Sequence, residues 1–157
     1  MNRIGLTALV ALLTIPSVPL AAEGFKIIAH QDVTVDSMSK ADLARMFTKK
    51  VTSWHDGKKV KPVDQPSRSA ARSAFTRAVH GKSVAAIRSY WQQRIFSGRG
   101  VPPPERLSDA QVLSYVMSQP GAVGYVSSNV DIGGAKVLKL TEVPGIRTHF
   151  GPGGRSE

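Results

Sequence analysis

VMSQPGAVGYV, residues 116–126, shows the order of local structure in this chain. Its first residues continue an apolar helical pattern that begins with a capping box at Ser108. Pro120 and Gly121 end that helix. The apolar and aromatic residues that follow favour a strand over residues 122–126. The stretch therefore predicts a helix, a tight turn and a buried strand in immediate succession.

Similar patterns predict further elements on both sides of this stretch. Short β-branched or alternating runs predict strands at 25–29, 59–63 and 136–140. Serine caps and helical spacing predict helices from Ser39, over 69–79 and over 84–96. Three consecutive prolines make 98–106 a rigid irregular connector. We therefore expect one α/β domain with a single mixed sheet and flanking helices.

Two of the predicted helices have apolar stripes that indicate their buried faces. Their members follow the 3.6-residue period of a helix facing a core. The stripes are Ala70, Ala71, Ala74, Phe75 and Ala78 in the helix over 69–79, and Ile87, Tyr90, Trp91 and Ile95 in the helix over 84–96.

The first 22 residues differ from the rest of the chain. Arg3 precedes an apolar run, residues 4–15, which is short for a bilayer span and suits the core of a secretory signal peptide. An uncleaved anchor is the alternative interpretation. We expect a signal peptide at 1–22, a domain over 23–143 and a loosely held tail over 144–157, with the protein exported to the periplasm.

Charge and cysteine content narrow the classes of function. The chain has 157 residues, 21 Lys and Arg against 11 Asp and Glu, and a formal net charge of +10. Such a positive charge attracts a small oxyanion, lipopolysaccharide, an anionic outer-membrane protein or nucleic acid, although a merely soluble basic surface explains it too. The chain has no cysteine. Disulfides, thiolate nucleophiles and cysteine metal sites are therefore excluded.

The sequence contains no recognisable catalytic or metal-binding motif. No serine lies in a GxSxG motif, and the histidines show neither HExxH nor HxH spacing: His30, His55, His80 and His149. The basic residues are spread along the chain without a nucleic-acid-binding signature. We therefore expect a non-enzymatic protein with no catalytic residues, no metal, no cofactor and no nucleic-acid partner.

Three separated segments carry a family pattern: LARMFTKKVTSWHDGKKVKPV (43–63), QPSRSAARSAF (65–75) and VMSQPGAVGYV (116–126). Their order and spacing resemble the phosphate-binding family of periplasmic substrate-binding proteins. The resemblance spans about residues 25–130 and implies one lobe of a type II periplasmic binding protein, because the chain is too short for two lobes. The family holds its anion between two lobes, so one lobe implies half of a site.

The second segment corresponds to the family's anion-binding loop, R-x-x-G-S-G-T. Alignment through Phe75 keeps the family's serine at Ser69. Four other positions differ from the family: Gln65 stands where the family has the arginine, and Ser67 where it usually has an aspartate at a variable position of the pattern. Ala70 stands where it has the glycine after the serine, and Ala71 where it has the threonine. The resemblance therefore implies an anion at this loop, and the departures favour weak binding.

Physical chemistry points to the same loop. A helix N-terminus presents unpaired N–H groups and the positive end of the helix dipole, so it attracts phosphate or sulfate. Arginine side chains add charge-assisted bonds. We predict an anion-binding set of Ser67, Arg68, Ser69, Ala70 and Arg72. The alternative is that a serine only caps its own helix while the arginines are solvated.

Together these features predict an exported, non-catalytic solute-binding domain. Its ligand would be phosphate or a similar oxyanion, linked to ABC-type phosphate uptake, with a transporter permease or an outer-membrane protein as partner. Only the signal peptide would be membrane-active. The alternative is a module that has kept the fold, lost the ligand and binds a protein or an envelope polymer. The departures at Gln65, Ala70 and Ala71 favour that alternative.

Overall fold

The computed structural model describes residues 24–141, which form five strands and four helices. The strands are β1 Phe25–Ala29, β2 Ser37–Ser39, β3 Lys61–Pro62, β4 Ala122–Ser127 and β5 Lys136–Thr141. The helices are α1 Lys40–Phe47, α2 Ala70–Phe75, α3 Val84–Phe96 and α4 Asp109–Ser118. A π-helical segment, Thr76–His80, continues α2 until Gly81 ends it with φ +61°.

The strands form one mixed sheet in the order β2-β5-β1-β4-β3. β1 lies at the centre and is antiparallel to β4 and to β5. The two edge strands, β2 and β3, each run parallel to their neighbour. This arrangement confirms the predicted single mixed sheet with flanking helices.

Both faces of the sheet are covered, as the alternation of side chains in β1 and β4 requires. On one face, Tyr125 of β4 stacks on Phe75 of α2 with ring centroids 4.0 Å apart, and Leu43 of α1 packs into the same core. On the other face, Val112 and Val116 of α4 pack on the sheet. α1 and α2 therefore cover one face and α4 the other.

Two glycines in residues 116–126, Gly121 and Gly124, allow this stretch to pack closely against other parts of the domain. Gly121 has φ +78°, and its carbonyl accepts a hydrogen bond from Nε1 of Trp54 at 2.9 Å. A Cβ added at Gly124 would lie 2.7 Å from Cγ1 of Val63 and 2.9 Å from Cγ1 of Val112. Glycine is required at Gly124 because α4 and the residue after β3 approach the strand that closely.

Most predicted elements are confirmed, with differences at their ends. β1 and the start of α1 at Ser39 lie as expected, and α3, α4, β4 and β5 match to within one residue. The predicted strand at 59–63 shortens to β3. The short strand β2 was not predicted. The predicted signal peptide at residues 1–22 and the predicted tail at residues 144–157 lie outside the described residues.

The predicted apolar stripes are wrong at two positions. Ala70 is exposed because it occupies the first turn of α2, whereas Arg72 and Thr76 are buried nearby. Ile95 is 49% exposed because α3 buries only Ile87 and Trp91. A period of 3.6 residues identifies the facing side of a helix but not the point at which the helix leaves the core.

Candidate functional site

Segment 65–72 leaves the carboxyl end of β3 and leads into α2. Pro66 accepts a hydrogen bond from the Ser69 amide at 2.9 Å, which closes a turn. Ser69 is the N-cap of α2, and its Oγ accepts from the Arg72 amide at 3.2 Å. The predicted serine cap is confirmed, since an N-cap hydroxyl satisfies one of the unpaired amides of a helix start.

Behind this segment lies a buried group of four residues, the polar cluster: Asp64, Gln65, Arg72 and Tyr125. Nη1 of Arg72 lies 2.7 Å from Oδ1 of Asp64, and the two side chains are 5% and 9% exposed. Arg72 also donates to the Gln65 carbonyl, and the Tyr125 hydroxyl donates to Asp64. The charge of Arg72 is therefore neutralised within the fold.

Burial and charge shift the titration of the groups in and beside the cluster. Burial raises the pKa of Asp64 above its usual value, opposed by the charge of Arg72 and by the Tyr125 hydrogen bond. Burial raises the pKa of Tyr125 as well, so its hydroxyl stays protonated and able to donate. Burial, with the charges of Arg72 and Lys82, lowers the pKa of His80 to about 4.

Gln65 links the starts of two helices. Its Nε2 donates to Oδ1 of Asp109, in the first turn of α4, at 2.8 Å and to the Tyr125 carbonyl at 3.0 Å. Its Oε1 accepts from the Ser69 hydroxyl at 2.6 Å. Gln65, at the position of the family's arginine, therefore connects the start of α2, β4 and the start of α4 through hydrogen bonds of an uncharged side chain.

The outer side of segment 65–72 borders an open depression of about 390 Å³. The amides of Ala70 and Ala71 have no acceptor within residues 24–141, because Ser69 caps only Arg72. The carboxylate of Asp109 also lies in the wall. The lining residues are Gln65, Pro66, Arg68, Ser69, Ala70, Ala71, Leu107, Ser108, Asp109 and Ser127.

The five predicted anion-binding residues divide between two sides of the segment. Arg68, Ser69 and Ala70 line the depression, and Ser67 is exposed beside them. Arg72 is buried in the polar cluster and does not line it.

Two acidic residues of the site, Asp64 and Asp109, are not among the residues predicted from the sequence. Asp109 could have been found from its place after the Ser108 cap, where an acidic residue is expected in a first helical turn. Nothing in the sequence indicates that Asp64 pairs with Arg72.

Residues 24–141 contain no group of three or more His, Cys, Asp or Glu residues placed to hold a metal ion. None of the helices described there is long and apolar enough to cross a bilayer.

The fold is similar to that of solved phosphate-binding proteins. A protein assigned as a phosphate ABC transporter substrate-binding protein from Clostridium perfringens, with phosphate bound, matches with a TM-score of 0.59 and 20% identity. An ABC-type phosphate transport receptor from Vibrio cholerae matches with a TM-score of 0.57 and 18% identity. PstS from Borrelia burgdorferi gives a TM-score of 0.57 at 12% identity. At these identities the likeness concerns the fold.

The chain spans less than half of each of these structures. The matches cover 74%, 74% and 78% of this chain, but only 44%, 46% and 49% of the three solved chains. Curated proteins include no significant match. Residues 13–150 match the sequence profile of the PBP superfamily domain. The chain therefore belongs to the PBP superfamily, with a solute-binding fold that corresponds to one lobe of its structural neighbours.

Proposed function

We propose that this chain is an exported, non-catalytic solute-binding domain that binds phosphate or a similar oxyanion on the outer side of segment 65–72. The observation that carries the proposal is the depression lined by Arg68, the capping Ser69 and two residues, Ala70 and Ala71, whose amides have no acceptor within residues 24–141. Two unpaired amides and one guanidinium are donors suited to an oxyanion. The family relation, with phosphate bound in one neighbour, supports the same ligand class.

Within this proposal the residues have separate roles. The Arg68 guanidinium is exposed and would pair with the anion, while the hydroxyl of exposed Ser67 would add a donor. Ser69 and Ala70 would contribute through the helix start. Arg72 would act indirectly, because its bonds to Asp64 and to the Gln65 carbonyl hold the segment in place.

The same geometry predicts weak binding. The depression is open to water, and the Asp109 carboxylate in its wall opposes an anion. A second lobe, which the structural neighbours have, would enclose the ligand; a transporter permease or an outer-membrane protein in the periplasm would be the partner of the loaded domain. The likeness to phosphate transport proteins supports a link to ABC-type phosphate uptake.

The test is isothermal titration calorimetry on the protein obtained by expressing the full-length chain. Phosphate and then sulfate are titrated into it, at low and at physiological salt. We expect saturable binding of phosphate at both salt concentrations. Arg68→Ala should weaken it at least about tenfold, since hydrogen bonds to charged groups contribute about 1.5–3 kcal/mol. Arg88→Ala is the matched control, because Arg88 is also exposed but lies on α3, outside the depression.

A second candidate function is an interaction module that has kept the fold and lost the ligand. The observation that favours it is that Arg72, an arginine close to the loop, is already paired with Asp64. This candidate predicts that any phosphate binding disappears at physiological salt and is weakened equally by Arg68→Ala and Arg88→Ala, because screening removes non-specific attraction. That result would contradict the oxyanion site.

A further inference from the structure

The far end of α3 exposes apolar side chains. Ile95 and Phe96, in its last turn, are 49% and 90% exposed, and Val101, in the segment that follows the helix, is 61% exposed. α3 buries only Ile87 and Trp91 against the rest of the domain. Single exposed apolar residues are common, whereas exposed apolar residues grouped on the surface often mark an interaction site.

The helix end that presents these residues is firmly closed. Ser97 is the C-cap, and Gly98 follows it with φ +66°. The Gly98 amide donates to the Ile95 carbonyl at 3.0 Å, and the Arg99 amide donates to the Arg94 carbonyl at 2.8 Å. This is the hydrogen-bond pattern of a Schellman cap. Phe96 is therefore held in water by an ordered turn and does not belong to a frayed helix end.

Arg94 strengthens that closure. Its Nη2 donates to the Arg99 carbonyl at 2.7 Å. Its guanidinium also lies over the rings of Tyr90 and Trp91, with its Cζ 5.6 and 5.9 Å from their centroids. Cation–π contact of this kind stabilises the position of the side chain. Arg94 thus connects the last turns of α3 to the turn that follows the helix.

The sequence around α3 carries one sign of charge. Residues 65–104 contain no Asp or Glu, and their basic residues are Arg68, Arg72, Arg77, Lys82, Arg88, Arg94 and Arg99. Arg72 is paired with Asp64. Within the described chain, exposed Arg88 and Arg99 make no ion pair. The exposed apolar group is therefore bordered by cations whose charge is not neutralised locally.

We propose that this end of α3 docks on a bilayer surface that contains anionic lipid. The docking surface, here called the α3 tip, consists of Ile95, Phe96 and Val101 with the flanking Arg88 and Arg99. Apolar side chains would enter the boundary between headgroups and acyl chains, while the guanidinium groups bind lipid phosphates. From the sequence we expect membrane contact only from residues 1–22; the α3 tip adds a second site.

The charge and shape of the tip favour lipid over two other occupants. A second copy of the chain docking through the same surface would bring like charges together. An acidic protein would match the charge, but a ring that is 90% exposed needs a preformed hollow in a protein partner. A lipid surface accepts a projecting phenylalanine without one.

The test is co-sedimentation of protein from the full-length chain with vesicles of phosphatidylglycerol and phosphatidylcholine, compared with phosphatidylcholine alone. We expect binding to the anionic vesicles that Phe96→Ser weakens at least about tenfold, because it removes the largest inserted side chain. Met117→Ser is the matched control, since Met117 is 47% exposed on α4. Residues 4–15 are the same in every variant, so any binding through them leaves the variants equal.

A second pair of variants tests the charges. Arg99→Glu should weaken binding to anionic vesicles at least about tenfold, since it reverses one cation near the surface. Lys139→Glu, at an exposed position on β5, should leave binding within about twofold. Circular dichroism and thermal unfolding of each variant verify that the fold is kept.

Three results would overturn the proposal. The first is no binding to anionic vesicles; the second is binding that Phe96→Ser and its control reduce equally. The third is a dimer, seen by sedimentation equilibrium, that Phe96→Ser dissociates while vesicle binding stays unchanged, which would assign the tip to a second copy. Phosphate titration of the same variants keeps this test separate from the proposed oxyanion site, because the tip does not line the depression.

Discussion

The inner and outer sides of segment 65–72 use the same residue types for opposite purposes. On the inner side, Arg72 is buried and paired with Asp64. On the outer side, Arg68 is exposed at the edge of the depression. The two arginines are four residues apart, but Arg68 precedes the Ser69 N-cap and so does not share the helical face of Arg72. Position relative to a cap therefore decides whether an arginine supports the fold or remains free for a ligand.

The largest expected effect is on the inner side. Asp64→Ala leaves the Arg72 guanidinium buried without its partner, which should lower the free energy of unfolding by about 3–5 kcal/mol. Urea denaturation measures this. Glu105→Ala is the control, because Glu105 also faces Arg72, at 3.6 Å, but is 52% exposed, and should cost less than about 1 kcal/mol. Equal losses of unfolding free energy in the two variants would contradict the conclusion that buried Asp64 is the main partner of Arg72.

Acidification should lower the free energy of unfolding because His80, beside the polar cluster, has a lowered pKa. The pKa of His80 is about 4 in the folded chain, against an ordinary 6.5, so between these values the unfolded chain binds a proton that the folded chain does not. The free energy of unfolding should therefore fall as the pH drops from about 6.5 to about 4, by up to about 3 kcal/mol. Urea denaturation at pH 7 and pH 4 measures the difference.

His80→Gln is the variant that should lose this contribution, whereas His55→Gln, at an exposed position, should keep it. The raised pKa of Asp64 acts in the opposite sense, because lowering the pH then protonates the folded chain first. Asp64 is present in all three chains, so its effect cancels in the comparison. The same pH dependence in His80→Gln and in the unmodified chain would contradict the prediction.

A smaller effect on the free energy of unfolding is expected at Gly124, where β4 packs against the residue that precedes Asp64. Gly124→Ala places a methyl group 2.7 Å from Cγ1 of Val63, directly before Asp64. The overpacking should cost about 1–3 kcal/mol in urea denaturation. Gly24→Ala is the control, since its added Cβ would lie in ordinary contact, 3.7 Å from Ala74. Equal free energies of unfolding for the two variants would mean that α4 can move away from β4 without a loss of stability.

The smallest effect on stability belongs to the outer side. Arg68→Ala should change the free energy of unfolding by less than about 0.5 kcal/mol, because the side chain is exposed. Thermal unfolding of the variant beside the unmodified chain measures this. A loss above about 1 kcal/mol would show that Arg68 belongs to the framework and would remove the main cation from the proposed oxyanion site.

Much of the fold was predictable because its signals are local. The caps at Ser39, Ser69 and Ser108, and the turn in which the Ala122 amide donates to the Gln119 carbonyl, fix element ends by hydrogen bonds between residues close in sequence. The pairing of β2 with β5 was not predictable, since it joins residues about a hundred positions apart through a strand of three residues. Local pattern carries no information about such a contact.

The site shows the same limit. The loop, its cap and the exposure of Arg68 follow from the sequence pattern, because all three depend on the start of α2. The burial of Arg72 depends on Asp64 and on Tyr125, sixty-one residues away from Asp64. An arginine near a helix start therefore cannot be assigned to a ligand until its long-range partners are known.

The most direct test of the oxyanion site is a titration of ¹⁵N-labelled protein with phosphate, followed by amide chemical shifts at physiological salt. We expect saturable shifts confined to residues 67–71, largest at Ala70 and Ala71, whose amides have no acceptor in the part of the chain that the structure describes. Arg68→Ala should abolish them. Shifts that do not saturate, or that are spread over the basic surface of α3, would contradict an oxyanion site at segment 65–72.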